Sequence, residues 1–94
     1  MKPETRGYLE SALDKILAGE LLPAVQWLEE DMPVKSMKDL CIGYIVGAIL
    51  GIAHIAILFG EGRFSSAEED VEVRAMIKRR LPEIGTKIEE ELNR

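Results

Sequence analysis

The chain has 94 residues, of which 47% are hydrophobic and 31% are charged, and its formal net charge is −5. This length fits one helical domain over residues 1–94, and the composition predicts a packed core rather than disorder. The acidic excess disfavours nucleic acid as a partner, because binding to phosphates depends mainly on Lys and Arg.

Cysteine usage and the first residues indicate a compartment. Cys41 is the only cysteine, which excludes an intrachain disulfide and a cysteine-rich zinc site. The segment that follows Met1 has no apolar stretch of the kind found in signal peptides. We therefore expect the chain to be cytoplasmic.

Two helices are predicted in the first third of the chain. Leu9, Leu13 and Leu17 recur at four-residue spacing, and charged residues fill the opposite face, as in a surface helix that ends near Gly19. Pro23 suits the first turn of a second, short helix that runs to about residue 31. Pro33 follows it and prevents the helix from continuing.

The strongest signal is an unusually apolar central helix over about residues 37–60. Ser36 is placed to cap it, and Asp39 has the spacing of the reciprocal partner in a capping box. No residue from Leu40 to Gly60 carries a formal charge. That length could just span a bilayer, which takes about 20 apolar residues as a helix.

Gly43, Gly47 and Gly51 lie four residues apart on this helix, and His54 returns to the same side. Small residues at this spacing allow two helix backbones to approach closely. Glycine inside a helix costs about 0.5 to 1 kcal/mol relative to alanine, so packing should offset the loss. The four residues therefore form a predicted helix-contact surface, either with the chain's own helices or with a second copy.

A last helix is predicted after the serine pair at 65–66, with an apolar period that continues to Leu92. Ser65 with Glu68, or Ser66 with Glu69, has capping-box spacing. Apolar residues keep a helical period across Pro82, so we expect one kinked helix or two nearly collinear ones.

Residues that could carry chemistry are few, and no catalytic, cofactor-binding or metal-binding residue is predicted. A lone histidine on an apolar helix, such as His54, is more often a packed core residue than a ligand or a base. The acidic cluster of Glu68, Glu69 and Glu72 suits a solvated helix start, and the acidic run 89–91 suits a solvated end. No cofactor is expected.

The apolar faces of the outer segments decide between a membrane span and a soluble core. A span over residues 37–60 would leave two fragments on opposite sides of the membrane, neither with an obvious core. In a soluble bundle the same faces cover the central helix. We therefore predict an all-α, compact bundle of four to five helices around the central helix, assembled as a homodimer.

The predicted function is a small homo-oligomeric interaction or scaffolding module without evident catalytic activity. One alternative is a single-span membrane protein that dimerises through Gly43, Gly47 and Gly51. Another is a helical enzyme or metal-binding protein with a site near His54 at a subunit interface.

Overall fold

A computed structural model describes residues 1–94 as four α-helices and no strand, which confirms the all-α prediction. The four helices are α1 (Pro3–Ala18), α2 (Pro23–Gln26), α3 (Met37–Glu61) and α4 (Ala67–Leu92). The second predicted helix is shorter than expected, because α2 passes at Trp27 into a single 3-10 turn that ends at Glu30.

The ends of α3 follow from local chemistry. The hydroxyl of Ser36 accepts a hydrogen bond from the backbone N–H of Asp39 at 3.1 Å, whereas the predicted return bond, from the N–H of Ser36 to the Asp39 carboxylate, is not formed. Gly62 ends the helix with a φ of 69°, a left-handed conformation that glycine adopts without a steric penalty. The observed α3 thus matches the predicted central helix to within one residue.

The start of α4 is a complete capping box. Ser66 accepts a bond from the N–H of Glu69, and the Glu69 carboxylate accepts one from the N–H of Ser66. The helix then continues through Pro82 as one element, so of the two predicted alternatives, one helix or two nearly collinear ones, the structure has one helix. Pro82 is exposed while Ile84 and Ile88 are fully buried, so the proline lies on the outer side of α4 and takes no part in the core.

Three long helices run side by side. The N–H of Lys2 donates to Glu61 at 2.6 Å, so the start of α1 lies at the end of α3 and these two helices are antiparallel. The turn after Gly62 makes α3 and α4 antiparallel as well. Helices α1 and α4 are therefore parallel, and ion pairs such as Asp14 with Arg80, at 2.9 Å, connect them.

The core lies between α3 and the elements that pack on it. Helix α3 contacts α1, α2 and α4, and it buries one row of residues spaced four apart. This row consists of Cys41, Ile45, Ile49, Ala53 and Ile57. It packs against leucines of α1 and against Val73, Met76, Ile77, Ile84 and Ile88 of α4. The side of α3 that carries this row is thereby buried.

Candidate functional site

The other side of α3 has no cover within the chain. This helix is long and apolar enough to cross a membrane, yet only 22% of its most apolar 18-residue window is buried. Packing against α1, α2 and α4 therefore leaves a large apolar surface of α3 that the rest of the chain does not cover.

The centre of this surface is a row of five residues spaced four apart, which we name the open row. All five are exposed. The open row consists of Gly43, Gly47, Gly51, Ile55 and Phe59. No other part of the chain lies within 4 Å of a Cβ atom placed on any of its three glycines. Packing within the chain therefore does not require glycine at these positions.

The two ends of the open row differ in size. The half nearer the start of α3 is glycine, so the backbone itself forms the surface. The half nearer the end carries Ile55, which is 58% exposed, and Phe59, which is 82% exposed. The row is therefore a shallow depression that rises into an apolar ridge.

A groove of about 840 Å³ adjoins the ridge, between the first half of α1 and the last half of α3. Its apolar wall includes Tyr8, Ile52, Ile55 and Phe59. At its end the helices approach so closely that a Cβ on Gly60 would lie 3.2 Å from the Thr5 hydroxyl. The groove is open and mainly apolar, so it could accept apolar side chains of a partner.

His54 lies beside the open row at the edge that faces α4. Its side chain is 55% exposed, and Nε2 lies 3.4 Å from a carboxylate oxygen of Asp70. The expectation of a packed core histidine is wrong, because α4 meets the neighbouring side of α3 and leaves this position at the rim. No three His, Cys, Asp or Glu side chains are grouped so that they could hold a metal ion.

Cys41 is remote from His54 and is buried. Its thiol lies 3.5 Å from the carbonyl oxygen of Leu21. Burial raises the pKa of the Cys41 thiol, with a smaller contribution from the negative charge of Glu91. A buried, protonated thiol is a poor nucleophile, so Cys41 acts as a core residue.

Glu69 is buried rather than solvated, which corrects the interpretation of the first acidic cluster. It is 4% exposed, and its two oxygens accept bonds from Arg63 at 2.6 and 3.0 Å. The Arg63 guanidinium, with the backbone N–H of Ser66, holds the pKa of Glu69 far below its usual range. The capping-box spacing was the available signal for Ser66, but nothing in the sequence indicated Arg63.

Glu91 corrects the interpretation of the second acidic run in the same way. Its carboxylate accepts bonds from the N–H groups of Leu21 and Leu22, at 2.9 and 3.2 Å, and it is 9% exposed. These hydrogen bonds connect the start of α2 to the end of α4. No local pattern could have revealed this, because the partners are 70 residues apart.

The structure therefore brings Gly43, Gly47, Gly51 and His54 to one exposed side of α3, and it uses the buried carboxylates for internal hydrogen bonds. Convergent polar groups with reactive geometry are not found at this surface. Its chemistry is that of an apolar contact surface with a small end and a large end. No family model, curated protein or solved structure matches the chain.

Proposed function

We propose that the chain is a small homo-oligomeric interaction module in which a second copy covers the open row of α3. The observation that carries this proposal is the exposure of the whole row on an apolar helix whose opposite side is already packed. The shared surface would hold the two copies together and present the outer helices to other partners.

A second copy suits the surface for a physical reason. Monomeric soluble proteins rarely expose a contiguous apolar patch of this kind, and a twofold dimer lets one patch bury its own equivalent. The glycines of the open row would further stabilise such a dimer. They allow the two α3 backbones to approach closely, and the closer helices make more dispersion contacts. Such contacts would offset the cost of glycine within α3.

A membrane span is the second candidate, and the low burial of the apolar window of α3 favours it. The contacts of α1 and α4 oppose it. Both helices lie alongside α3, and pairs such as Arg6 with Glu72 and Arg80 with Asp14 lie between them. In a span with this packing, those charges would enter the hydrocarbon layer at considerable cost.

Light scattering of the purified chain in detergent-free buffer tests the proposal. We expect a particle of twice the chain mass at micromolar concentration. Gly47→Leu should lower the dimer fraction although it favours the helix locally, because a leucine keeps the two backbones apart. Gly7→Leu is the matched control, since Gly7 is also an exposed helical glycine with open space around it.

Three results would contradict the proposal. A monomer at all concentrations would show that the open row does not hold two copies together. Recovery of the expressed chain only from the membrane fraction would favour the span instead. If Gly47→Leu and Gly7→Leu both dimerise like the wild type, the two copies contact each other through a surface other than the open row.

A further inference from the structure

The groove between α1 and α3 contains a buried hydroxyl that has no partner within the chain. Thr5, in the first turn of α1, is 7% exposed and lines the groove together with Gly60. Every fully buried side-chain nitrogen or oxygen atom has a hydrogen-bond partner, whereas the Thr5 hydroxyl makes no hydrogen bond within the chain. This hydroxyl is therefore accessible, and the groove is its route of access. Because buried polar groups are nearly always hydrogen-bonded, it is suited to bind a polar group of a molecule in the groove.

A cation lies at the same end of the groove, which we name the narrow end because α1 and α3 approach closely there at Thr5 and Gly60. The Lys2 ammonium lies 3.4 Å from the carbonyl oxygen of Gly60, and no carboxylate of the chain pairs with it. Glu4 also lines the groove, but its exposed carboxylate is not hydrogen-bonded to any group at this end. The narrow end thus offers two hydrogen-bond donors, of which the ammonium is charged.

The rest of the groove is an apolar track along α3. It follows the helix from Gly60 back to Ile52, which is about 12 Å by the helical rise. Ile55 and Phe59 line it on α3, and the ring of Tyr8 lines it on α1. Its volume of about 840 Å³ lies within the range of about 300 to 1,000 Å³ that is typical of small-molecule sites. The groove is therefore polar at one end and apolar along its length.

We propose that this groove binds a linear carboxylic acid with an alkyl chain of medium length, such as decanoate. The carboxylate accepts hydrogen bonds from the Thr5 hydroxyl and the Lys2 ammonium at the narrow end. The alkyl chain follows α3 towards Ile52 and covers apolar surface of Ile55 and Phe59. This inference goes beyond the proposed function, because α1 and α3 of one chain form the whole groove.

The charge of Lys2 selects the head group. A carboxylate is ionised at neutral pH and pairs with the ammonium, and such charge-assisted hydrogen bonds are roughly twice as strong as neutral ones. An alcohol with the same chain forms only neutral bonds to Thr5. An amine with the same chain places a second ammonium beside Lys2, which is unfavourable.

Nuclear magnetic resonance of the labelled full chain tests the site. Decanoate is titrated at neutral pH, below the concentration at which it forms micelles. We expect saturable shifts of the backbone amide signals of Thr5, Ala56 and Gly60, at one molecule per chain. The indole signal of Trp27, which lies outside the groove, should not move. Decanoate should bind at least about fivefold more tightly than decanol or decylamine.

Two variants with matched controls assign the roles at the narrow end. Lys2→Gln should weaken decanoate binding about fivefold and leave decanol binding unchanged, whereas Lys15→Gln, at an exposed position of α1 outside the groove, should change neither. Thr5→Val keeps the shape of the side chain and should weaken both ligands about fivefold. Thr86→Val, at an exposed position of α4, is its control. Circular dichroism of each variant verifies the fold.

The outcomes separate the site from the proposed dimer. Absence of saturable shifts with decanoate overturns the site. Equal binding of decanoate and decanol, or unchanged decanoate binding in Lys2→Gln, overturns the recognition of a carboxylate. Light scattering of the same samples reports the oligomeric state independently. A monomer that binds decanoate contradicts the proposed function alone, and a dimer that does not bind it overturns this inference alone.

Discussion

The carboxylate of Glu91, in the last turn of α4, accepts two hydrogen bonds from the backbone N–H of Leu21, at 2.9 and 3.1 Å. It also accepts one from the N–H of Leu22 at 3.2 Å. One buried side chain thus satisfies two donors at the start of α2, which has no side-chain cap of its own. Long-range bonding takes the place of a local cap.

Replacing Glu91 should therefore destabilise the fold. We expect Glu91→Ala to lower the free energy of unfolding by about 1 to 3 kcal/mol, because it leaves two buried N–H groups without acceptors. Glu91→Gln should cost less, since its amide oxygen still accepts. Denaturant unfolding followed by circular dichroism measures both. The exposed neighbour supplies the control, Glu90→Ala, and an equal loss in that variant would show that the bonds to Leu21 and Leu22 contribute little.

Association should depend on Ile55 and not on apolar exposure in general. Ile55 on α3 is 58% exposed and Val71 on α4 is 61% exposed, so they form a matched pair of β-branched residues. We expect Ile55→Ser to weaken the dimer at least about tenfold, because each interface loses two buried aliphatic side chains. Val71→Ser should leave the dissociation constant unchanged. Sedimentation equilibrium measures the dissociation constant of each variant. Equal changes in the two variants would contradict a dimer contact along the open row.

Stability should fall in acid because of Glu69. Its pKa is lowered chiefly by the hydrogen bonds from Arg63, and that of Glu72 is lowered chiefly by the bond from Arg6. For a lowered carboxyl pKa, the stabilisation is complete above the unfolded value of about 4.3 and is lost as the pH falls towards the folded value. Unfolding at a series of pH values from 7 to 2.5 should show this decline.

Two glutamine variants identify the carboxylate responsible. Glu69→Gln should be less stable than the wild type at pH 7, and the gap should narrow as the pH falls, because the wild type loses the same interaction. Glu68→Gln, at an exposed position that makes no ion pair, should keep the wild-type decline. A gap that stays constant down to pH 2.5 would exclude Glu69 as the source.

Pro82 should cost stability within α4. Inside a helix, proline removes one backbone hydrogen bond, so Pro82→Ala should raise the free energy of unfolding by about 1 to 2 kcal/mol. Pro3→Ala is the control, because Pro3 occupies the first position of α1, where no N–H bond is lost. Thermal unfolding of the two variants compares them, and a loss of stability in Pro82→Ala would show that the proline is favourable where it stands.

Local patterns predicted the helices well. The period of the leucines in α1, the bonds at Ser36 and Ser66, and the glycine after α3 all act within about four residues, so they can be read along the chain. The same reasoning left open whether Pro82 lies within one kinked helix or between two nearly collinear ones, and the structure has one helix. There the packing of Ile84 and Ile88 holds α4 together, which a local rule about proline does not include.

The sequence by itself determined that the chain is helical, where α3 begins and ends, and that Gly43, Gly47, Gly51 and His54 share one side of it. Only the tertiary structure decided that this side is exposed, that His54 lies at the rim, and that Glu69 and Glu91 are buried. The physical reason is the separation along the chain of the residues that interact. Helix formation and capping depend on neighbours a few residues away, whereas burial depends on which distant segments pack against a given face.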